Sequence, residues 1–361
     1  MKPLIPILAA IFTSCLLAHD SRSAVLVDDD WDDGDRTETN LPDESAWYAS
    51  SAITTPTLSS AIGTLTGNVR MFETNTGSRL WISHFTPAGA PVELALGETL
   101  KITATFSAAN ITTSPATSRG LRIGLFNFSE PGATRVSADG FSTGSGAGAP
   151  GANVTGYILN MNFAPSFTIN NPLQIMKRTD TATNNLMGAS AVFTALSSGG
   201  GLSGTPGFAN GVTYTMEFSA KRFEATTEIT TKFFDDSGWN ISHTATDVGA
   251  PTFRFDGFAV RANGVADTAD SITFSRFKAE VLPFETRITS VAFTIVDGLT
   301  LTWASLPGKT YNIEWRSSLD PTDQWATLDT VASGGTSTSF SDIEAPFYPN
   351  RFYQIVEIAA P

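Results

Sequence analysis

The chain of 361 residues contains one cysteine, Cys15, and three histidines. With a single thiol no intramolecular disulfide can form, so the hydrophobic core has to hold the fold together. Zinc sites need three or four histidine, cysteine or carboxylate ligands, and a histidine-based site is therefore not indicated. The letters Gly-x-Ser-x-Gly occur once, from Gly140 to Gly144, in a loop rich in glycine, alanine and serine, and not as a nucleophile elbow between a strand and a helix. A glycine-rich phosphate loop between a strand and a helix is missing. Esterase-type catalysis and phosphate-loop nucleotide binding are excluded on that basis.

Positive charge is scarce: 22 Lys and Arg stand against 35 Asp and Glu, for a net charge of −13. Nucleic acid and anionic membranes attract basic surfaces, so neither is an expected partner. A polyanionic glycan would also be repelled except at a locally basic site.

Long hydrophobic runs are limited to the stretch from Leu4 to Ala18, which follows the positive Lys2. The small residues from Ser21 to Ala24 suit cleavage, so residues 1–24 are predicted to be a secretory signal. The chain is then secreted, to the medium or the cell surface, with no membrane span. Around Cys15 the sequence has some likeness to a lipoprotein box, which leaves lipidation of Cys15 open.

Beyond the first twenty positions, apolar residues do not recur with helical spacing. Apolar and polar residues instead alternate with a period of two. In residues 214–222, Tyr214, Met216, Phe218 and Ala220 point one way and the polar residues between them point the other. Such alternation is typical of half-buried strands, so the chain is predicted to be all-β.

A domain boundary is predicted near Pro283, which separates residues 25–283 from residues 284–361. Short strand patterns broken by glycine and proline fill the second part, and they indicate a small seven-stranded sandwich. Its aromatic residues are predicted to form the core or its rim: Trp303, Tyr311, Trp315, Trp325 and Tyr353.

The second part resembles a fibronectin type III-like, or immunoglobulin-like, β-sandwich module. The resemblance lies in Leu301-Thr302-Trp303, in the segment from Pro307 to Tyr311, and in the strand from Arg351 to Ile355. Similar modules are appended to secreted proteins of polysaccharide-degrading bacteria. The resemblance implies a spacer, an adhesive unit or a surface-retention unit, and it implies no reaction.

The first part resembles a concanavalin A-like lectin/glucanase jelly roll. The resemblance lies in residues 211–218, 253–260 and 270–274, and the opening strand from Val25 to Asp28 is expected to pair with a late strand. The resemblance implies a jelly-roll β-sandwich. Lectins, glycosidases, lyases and structural modules all share this fold, so a function has to be argued from a site.

No catalytic residue is predicted. The Glu-x-Asp-x-x-Glu strand of the glucanases is missing, although hydrolysis of a glycosidic bond needs two facing carboxylates. Lyases of this fold bring together an Arg, a His or Gln, and a Tyr or Lys. Those residue types occur at His84, Arg122, Tyr157, Gln174, Lys177 and Arg178. A polysaccharide lyase or glycoside hydrolase that uses the concave face of the jelly roll therefore remains an alternative.

Six carboxylates crowd the segment from Asp28 to Asp35, where they repel one another unless solvent or a cation neutralises them. Calcium prefers such oxygen ligands, and the predicted ligands are Asp28, Asp30, Asp32 and Asp35. Asp267 or Asp270 would complete the site. The alternative is a solvated turn after the first strand, with no ion.

Sugar binding needs aromatic rings and hydrogen-bonding side chains that line one groove. The predicted ligand-binding residues are Trp81, Tyr157, Lys177, Arg178 and Trp239. We therefore expect a secreted, non-catalytic protein that binds a polysaccharide or a cell-surface glycan, or mediates surface adhesion. A purely structural surface or matrix protein is a third hypothesis.

Overall fold

The computed structural model describes residues 23–50, 58–68, 80–111, 119–143, 148–262 and 269–358. Nearly all of the predicted signal, residues 1–24, lies outside these ranges. The chain divides into two units between Leu282 and Pro283. Helix in the described ranges is limited to two 3₁₀ turns, Ser190–Val192 and Ala345–Phe347, which confirms the all-β prediction. No helix there is long and apolar enough to cross a bilayer.

Two antiparallel sheets build the larger unit as a jelly-roll sandwich. The strands of the eight-stranded sheet are β1 (Ala24–Asp29), β3 (Leu58–Ala61), β4 (Thr64–Asn68), β7 (Thr99–Ala109), β12 (Tyr214–Arg222), β13 (Thr227–Phe234), β14 (Asn240–Asp247) and β17 (Ser271–Leu282). Their order is β14-β13-β12-β7-β17-β4-β3, and β1 also pairs with β17, as expected for the first and a late strand.

The facing sheet has seven strands: β2 (Trp47–Ala49), β5 (Leu80–His84), β8 (Leu121–Asn127), β9 (Thr155–Met161), β10 (Leu173–Arg178), β11 (Phe193–Gly199) and β16 (Gly257–Ala262). Their order is β11-β10-β9-β8-β16-β5-β2. A short ribbon of β6 (Val92–Glu93) and β15 (Arg254–Phe255) lies beside the sandwich.

The main core fills the space between the two sheets, because alternate residues of each strand point inward. Trp81 is part of this core with 1% of its surface exposed. Its ring occupies the space over Gly67, where an added Cβ would lie 2.2 Å from a ring carbon. The prediction that Trp81 offers its ring to a ligand is therefore wrong.

A second, smaller core lies on the outer face of the seven-stranded sheet, turned away from its partner sheet. Outward-facing residues such as Phe126 and Ile158 pack there against Phe128, Val136 and Met187 from the loops. All seven residues of β8 are consequently buried, as expected for a strand covered on both faces. These loops close this part of the outer face to large ligands.

Six strands form the described part of the second unit, residues 283–358, one fewer than predicted. One sheet has the order β18-β19-β22, with β18 (Ile288–Thr294), β19 (Gly298–Ala304) and β22 (Ser337–Asp342). The other has the order β21-β20-β23, with β20 (Thr310–Arg316), β21 (Ala326–Ala332) and β23 (Phe352–Ile358).

Aromatic residues build the core of this second unit. Trp303, Tyr311 and Tyr353 are buried, as predicted. Trp315 and Trp325 lie at the rim, half-buried, where guanidinium groups of Arg351 and Arg316 each lie 4.4 Å from the ring centroid.

Candidate functional site

A cleft of about 280 Å³ opens at one rim of the larger unit, where β9 begins and β10 ends. Its walls include Glu93, Glu130, Thr155, Phe253 and Arg254. Ligand pockets in proteins typically enclose about 300–1,000 Å³, so this cleft lies just below the lower end and suits only a ligand of small size.

One wall of the cleft comes from the β6–β15 ribbon, in which Arg254 lies directly opposite Glu93. Nε of Arg254 is 3.9 Å from Oε2 of Glu93, which is too far for a hydrogen bond. The side chains of Arg254 and Glu93 are 43% and 65% exposed. Within the described residues, Nε of Arg254 is shielded from solvent and has no hydrogen-bond partner. This wall thus offers a partly exposed guanidinium group and an accessible carboxylate.

The other lining groups are a carboxylate, hydroxyls and an aromatic ring. Oε1 of Glu130 accepts a hydrogen bond of 2.6 Å from Asn127, which orients the carboxylate. The hydroxyls of Thr155 and Thr252 lie 3.5 Å apart. Phe253 is half-buried and adds apolar surface. Acceptors, donors and an apolar patch therefore line one small space.

A buried hydrogen-bond network supports the lining residues Lys177 and Thr252. The Tyr157 hydroxyl donates to Oδ2 of Asp247 at 2.8 Å and accepts from the amide of Thr252 at 3.0 Å. Burial, together with the Asp247 carboxylate, keeps the pKa of Tyr157 well above its usual value. Lys177 pairs with Asp247 at 2.9 Å and also donates to the carbonyls of Gly249 and Ala250.

These contacts change the interpretation of two predicted ligand residues. Tyr157 is fully buried, and the Lys177 ammonium is committed to a carboxylate and two carbonyls. Both residues hold the loop that forms one wall of the cleft, and neither presents a free polar group to a ligand.

Arg178, the third predicted residue near the cleft, is 2% exposed. Its guanidinium donates to five main-chain carbonyls at 2.8–3.0 Å, those of Gly151, Val154, Thr183, Asn185 and Leu186. Burial lowers the pKa of Arg178 to about 10, so the group stays protonated at neutral pH. With its donors used in this way, Arg178 fastens two loops to β10, and the prediction that it binds a ligand is wrong.

Trp239, the remaining predicted residue, lies in the turn between β13 and β14. The ring is half-buried against Phe208 and Tyr214, with centroids 5.1 and 5.2 Å away, and its Nε1 donates to the carbonyl of Pro206 at 3.1 Å. Trp239 does not line the cleft. Of the five predicted residues, Lys177 and Arg178 line the cleft, Tyr157 lies behind Thr252 of its lining, and Trp81 and Trp239 lie elsewhere.

Of the residues considered for a lyase, Lys177 and Arg178 line the cleft with Tyr157 behind it, whereas His84, Arg122 and Gln174 lie elsewhere. Arg122, Asn160 and Gln174 form a row across the outer face of β8, β9 and β10, because the strand register sets them side by side. Arg122, however, is 2% exposed and donates to the carbonyl of Met187 and, at 2.8 Å, to the hydroxyl of Ser190. A covering loop therefore occupies the guanidinium.

His84, also considered for a lyase, is 5% exposed, and its Nε2 lies 3.1 Å from the carbonyl oxygen of Val136. Burial, with a smaller effect of the Arg135 charge, lowers the pKa of His84 to about 3. The imidazole is neutral at physiological pH and has no access to a substrate.

The acidic segment folds differently from the predicted calcium site. Asp28 forms a two-pronged ion pair with Arg276, with both contacts at 2.7 Å. Asp35 accepts hydrogen bonds from the amide and hydroxyl of Thr37. Asp30 is exposed and lies outside any carboxylate cluster of the described residues. Of the four predicted ligands, only Asp32 belongs to a cluster.

That cluster consists of Asp32, Asp33 and Glu44, each with one carboxylate oxygen within 4.8 Å of the others. Burial and the charges of Asp33 and other neighbouring carboxylates raise the pKa of Glu44. The arrangement could hold a metal ion, since calcium accepts three carboxylates together with carbonyl or water oxygens. Asp270 instead accepts a hydrogen bond of 2.5 Å from Asn110, and Asp267 lies outside the described residues.

No known protein family and no curated protein matches the sequence. Among solved structures, the chain is similar to lectin I-B4 from Griffonia simplicifolia in its metal-free form. They share 10% identity over 67% of this chain and 95% of the lectin, with a TM-score of 0.36. Arcelin-5, a lectin-like defense protein from Phaseolus vulgaris, shares 12% identity over 68% of this chain and 95% of its own, with a TM-score of 0.36.

A further similar structure is the exoplasmic/lumenal domain of VIP36 in its Ca²⁺/Man3GlcNAc-bound form. It shares 10% identity over 66% of this chain and 84% of its own, with a TM-score of 0.37. At these identities and TM-scores, the likenesses say nothing about what this chain binds.

Proposed function

We propose that the larger unit is a non-catalytic carbohydrate-binding module and that the cleft beside the β6–β15 ribbon holds one sugar residue of a glycan. The observation that carries the proposal is the lining of the cleft, in which the partly exposed Arg254 shares one space with Glu93, Glu130 and Phe253. A pyranose presents hydroxyls at its rim and apolar C–H groups on its faces. Carboxylates and guanidinium groups bind such hydroxyls, and an aromatic ring covers an apolar face.

The charge of the lining favours a neutral sugar over a uronate. Glu93 and Glu130 are acidic, and Arg178, Lys177 and Arg254 are basic. Lys177 is neutralised by Asp247, and the Arg178 guanidinium is covered by carbonyls. Glu93 and Glu130 then balance the charges of Arg254 and the buried Arg178, so the cleft has no excess positive charge with which to hold a polyanionic chain.

Export belongs to the same proposal, because the secretory signal predicted for residues 1–24 would deliver the protein to extracellular glycans. The C-terminal unit would act as an accessory module for adhesion or retention, in line with its resemblance to fibronectin type III-like modules.

Binding to a glycan array, followed by calorimetry with the best oligosaccharide, tests the proposal. Arg254→Ala should weaken the affinity by about 10–100-fold, since a hydrogen bond from a charged group contributes about 1.5–3 kcal/mol. Arg276→Ala is the matched control, because Arg276 is an exposed arginine that does not line the cleft. It should bind as the unaltered protein does.

Three results would contradict this function. Release of reducing ends or unsaturated uronates from a polysaccharide would reveal an enzyme. Binding to no glycan at all would favour a structural surface protein. Equal affinity of the Arg254→Ala variant would place the sugar outside this cleft.

We also propose that Asp32, Asp33 and Glu44 bind calcium, which stabilises the folded state because the unfolded chain lacks the assembled site. At a free concentration about 100 times the dissociation constant, the gain is about 2.7 kcal/mol. The melting temperature of the larger unit should therefore rise with millimolar calcium and fall again with a chelator.

Asp32→Asn with Asp33→Asn should remove this response, and Asp30→Asn, an exposed neighbour outside the cluster, should keep it. Magnesium should substitute poorly, because it demands tighter octahedral geometry. If sodium chloride at matched ionic strength raised the melting temperature as much as calcium, charge screening would be the cause and the cluster would be a solvated turn.

A further inference from the structure

Phe253 supplies the aromatic ring of the cleft, next to the β6–β15 ribbon. The residue lines the cleft and is half-buried. Its carbonyl accepts a hydrogen bond of 2.9 Å from the amide of Leu94, one position beyond the last residue pair of the ribbon. A phenyl ring has no hydrogen-bonding group, so its orientation depends on what packs against it.

Arg222, the last residue of β12, packs against this ring. Its guanidinium carbon lies 4.3 Å from the ring centroid of Phe253, within the range of a cation–π contact. Nη1 of Arg222 donates to the carbonyl of Leu94 at 2.5 Å. One guanidinium therefore contacts both chain segments at this end of the ribbon.

The main chain of Arg222 is fixed as well. Its amide donates to the carbonyl of Glu98, and its carbonyl accepts from the amide of Gly97, both at 2.9 Å. These two bonds hold the end of β12 to the segment that follows β6. Because β12 lies between β7 and β13 inside its sheet, the guanidinium projects from an anchored position on the sandwich.

The guanidinium covers a face of the ring that is turned away from the ligand space. Among the described residues, Phe253 lines the cleft and Arg222 does not. With one face occupied by Arg222, the ring has its other side left for a ligand. An aromatic face binds sugars through their apolar C–H groups, so this side suits one apolar face of a pyranose.

We propose that Arg222 is a positioning residue for glycan binding: it holds the Phe253 ring in the orientation that stacks on an apolar face of a pyranose, and it does not touch the sugar. The inference rests on the proposed function, in which the cleft holds one sugar residue. A side chain that has to be immobilised on binding lowers the affinity. An arginine anchored at its main chain and its guanidinium orders the ring before the sugar arrives.

Calorimetry of the full chain tests this role, with the neutral oligosaccharide that the unaltered protein binds best on the array. Arg222→Ala should weaken the affinity about 3–10-fold, the range expected when one side chain has to be ordered on binding. Arg222→Lys should recover part of the loss, because an ammonium can still lie over the ring and donate to the Leu94 carbonyl.

Lys232→Ala is the matched control. Nζ of Lys232 lies 4.6 Å from the ring centroid of Phe234, so the two residues make the same kind of contact, and neither lines the cleft. This variant should bind as the unaltered protein does.

A double-mutant cycle separates positioning of the ring from general support of the fold. If Arg222 acts through the ring, Arg222→Ala should have little further effect on the affinity once Phe253 is replaced by alanine. A role in stability alone predicts a lower melting temperature and an unchanged affinity at temperatures where each variant is folded. Circular dichroism melts identify those temperatures.

The outcomes distinguish this inference from the proposed function. If Arg254→Ala weakens binding and Arg222→Ala does not, the positioning role alone is overturned. The same conclusion follows if the losses from Arg222→Ala and Phe253→Ala multiply in full. If the chain binds no glycan, or if Arg254→Ala binds as tightly as the unaltered protein, the site in this cleft and the role of Arg222 are overturned together.

Discussion

Replacing Trp303 with alanine should lower the free energy of unfolding of the C-terminal unit by about 3–5 kcal/mol, because a buried indole leaves a large cavity when it is removed. Trp303 is fully buried and packs edge-on against Tyr311, with centroids 5.9 Å apart. Small domains are stable by about 5–15 kcal/mol, so this loss can unfold the unit outright.

Hydrogen exchange of the full chain, followed peptide by peptide, would measure this effect. Peptides from residues 283–358 should lose protection, and peptides from residues 23–282 should keep it. Trp325→Ala serves as the control, since Trp325 is a half-buried rim residue and its removal should cost less. A cost below about 1 kcal/mol for Trp303→Ala would contradict the central position of this ring.

Replacing Arg178 with alanine should lower the free energy of unfolding of the larger unit by about 3–5 kcal/mol. Five carbonyls would lose a charged donor, and each buried polar group left unpaired costs about 1–3 kcal/mol unless water enters to replace the donor. Water entry makes the total smaller than a simple sum. The loops around Val154 and Leu186 should lose protection first, because the guanidinium is their common attachment.

Arg178→Lys should recover only part of the stability, since an ammonium has three donors and cannot reach five carbonyls at once. Chemical denaturation of both variants gives the comparison. Arg276→Ala, an exposed arginine paired with Asp28, should cost about 1 kcal/mol or less. An equally small cost for Arg178→Ala would mean that the loops are held by their apolar contacts alone.

The strands could be predicted from the sequence because the alternation of apolar and polar residues lies within each strand's own segment. In β12 the alternation of Tyr214, Met216, Phe218 and Ala220 matches the alternation of buried and half-buried residues along the strand. The same logic shows why the role assigned to Trp81 is wrong. The segment from Leu80 to His84 is buried at every position, which is the property of a strand covered on both faces.

The candidate cleft was not predictable, because its walls come from distant parts of the chain. Arg254 meets Glu93 only through the β6–β15 pairing, and Glu130 comes from a third segment. The prediction of Asp28 as a calcium ligand was wrong for the same reason. Asp28 is close to the other carboxylates in sequence, but it forms an ion pair with Arg276, which is 248 positions away in the chain.

The five hydrogen bonds of Arg178 hold the loops around residues 151–154 and 183–186 to β10. Exported proteins often crosslink such loops with disulfides, which need an oxidising compartment to form and which reducing agents cleave. The only cysteine of this chain is Cys15, within the predicted signal. A guanidinium thus takes the place of a covalent crosslink, so no oxidase is needed to fasten these loops and no reductant can release them.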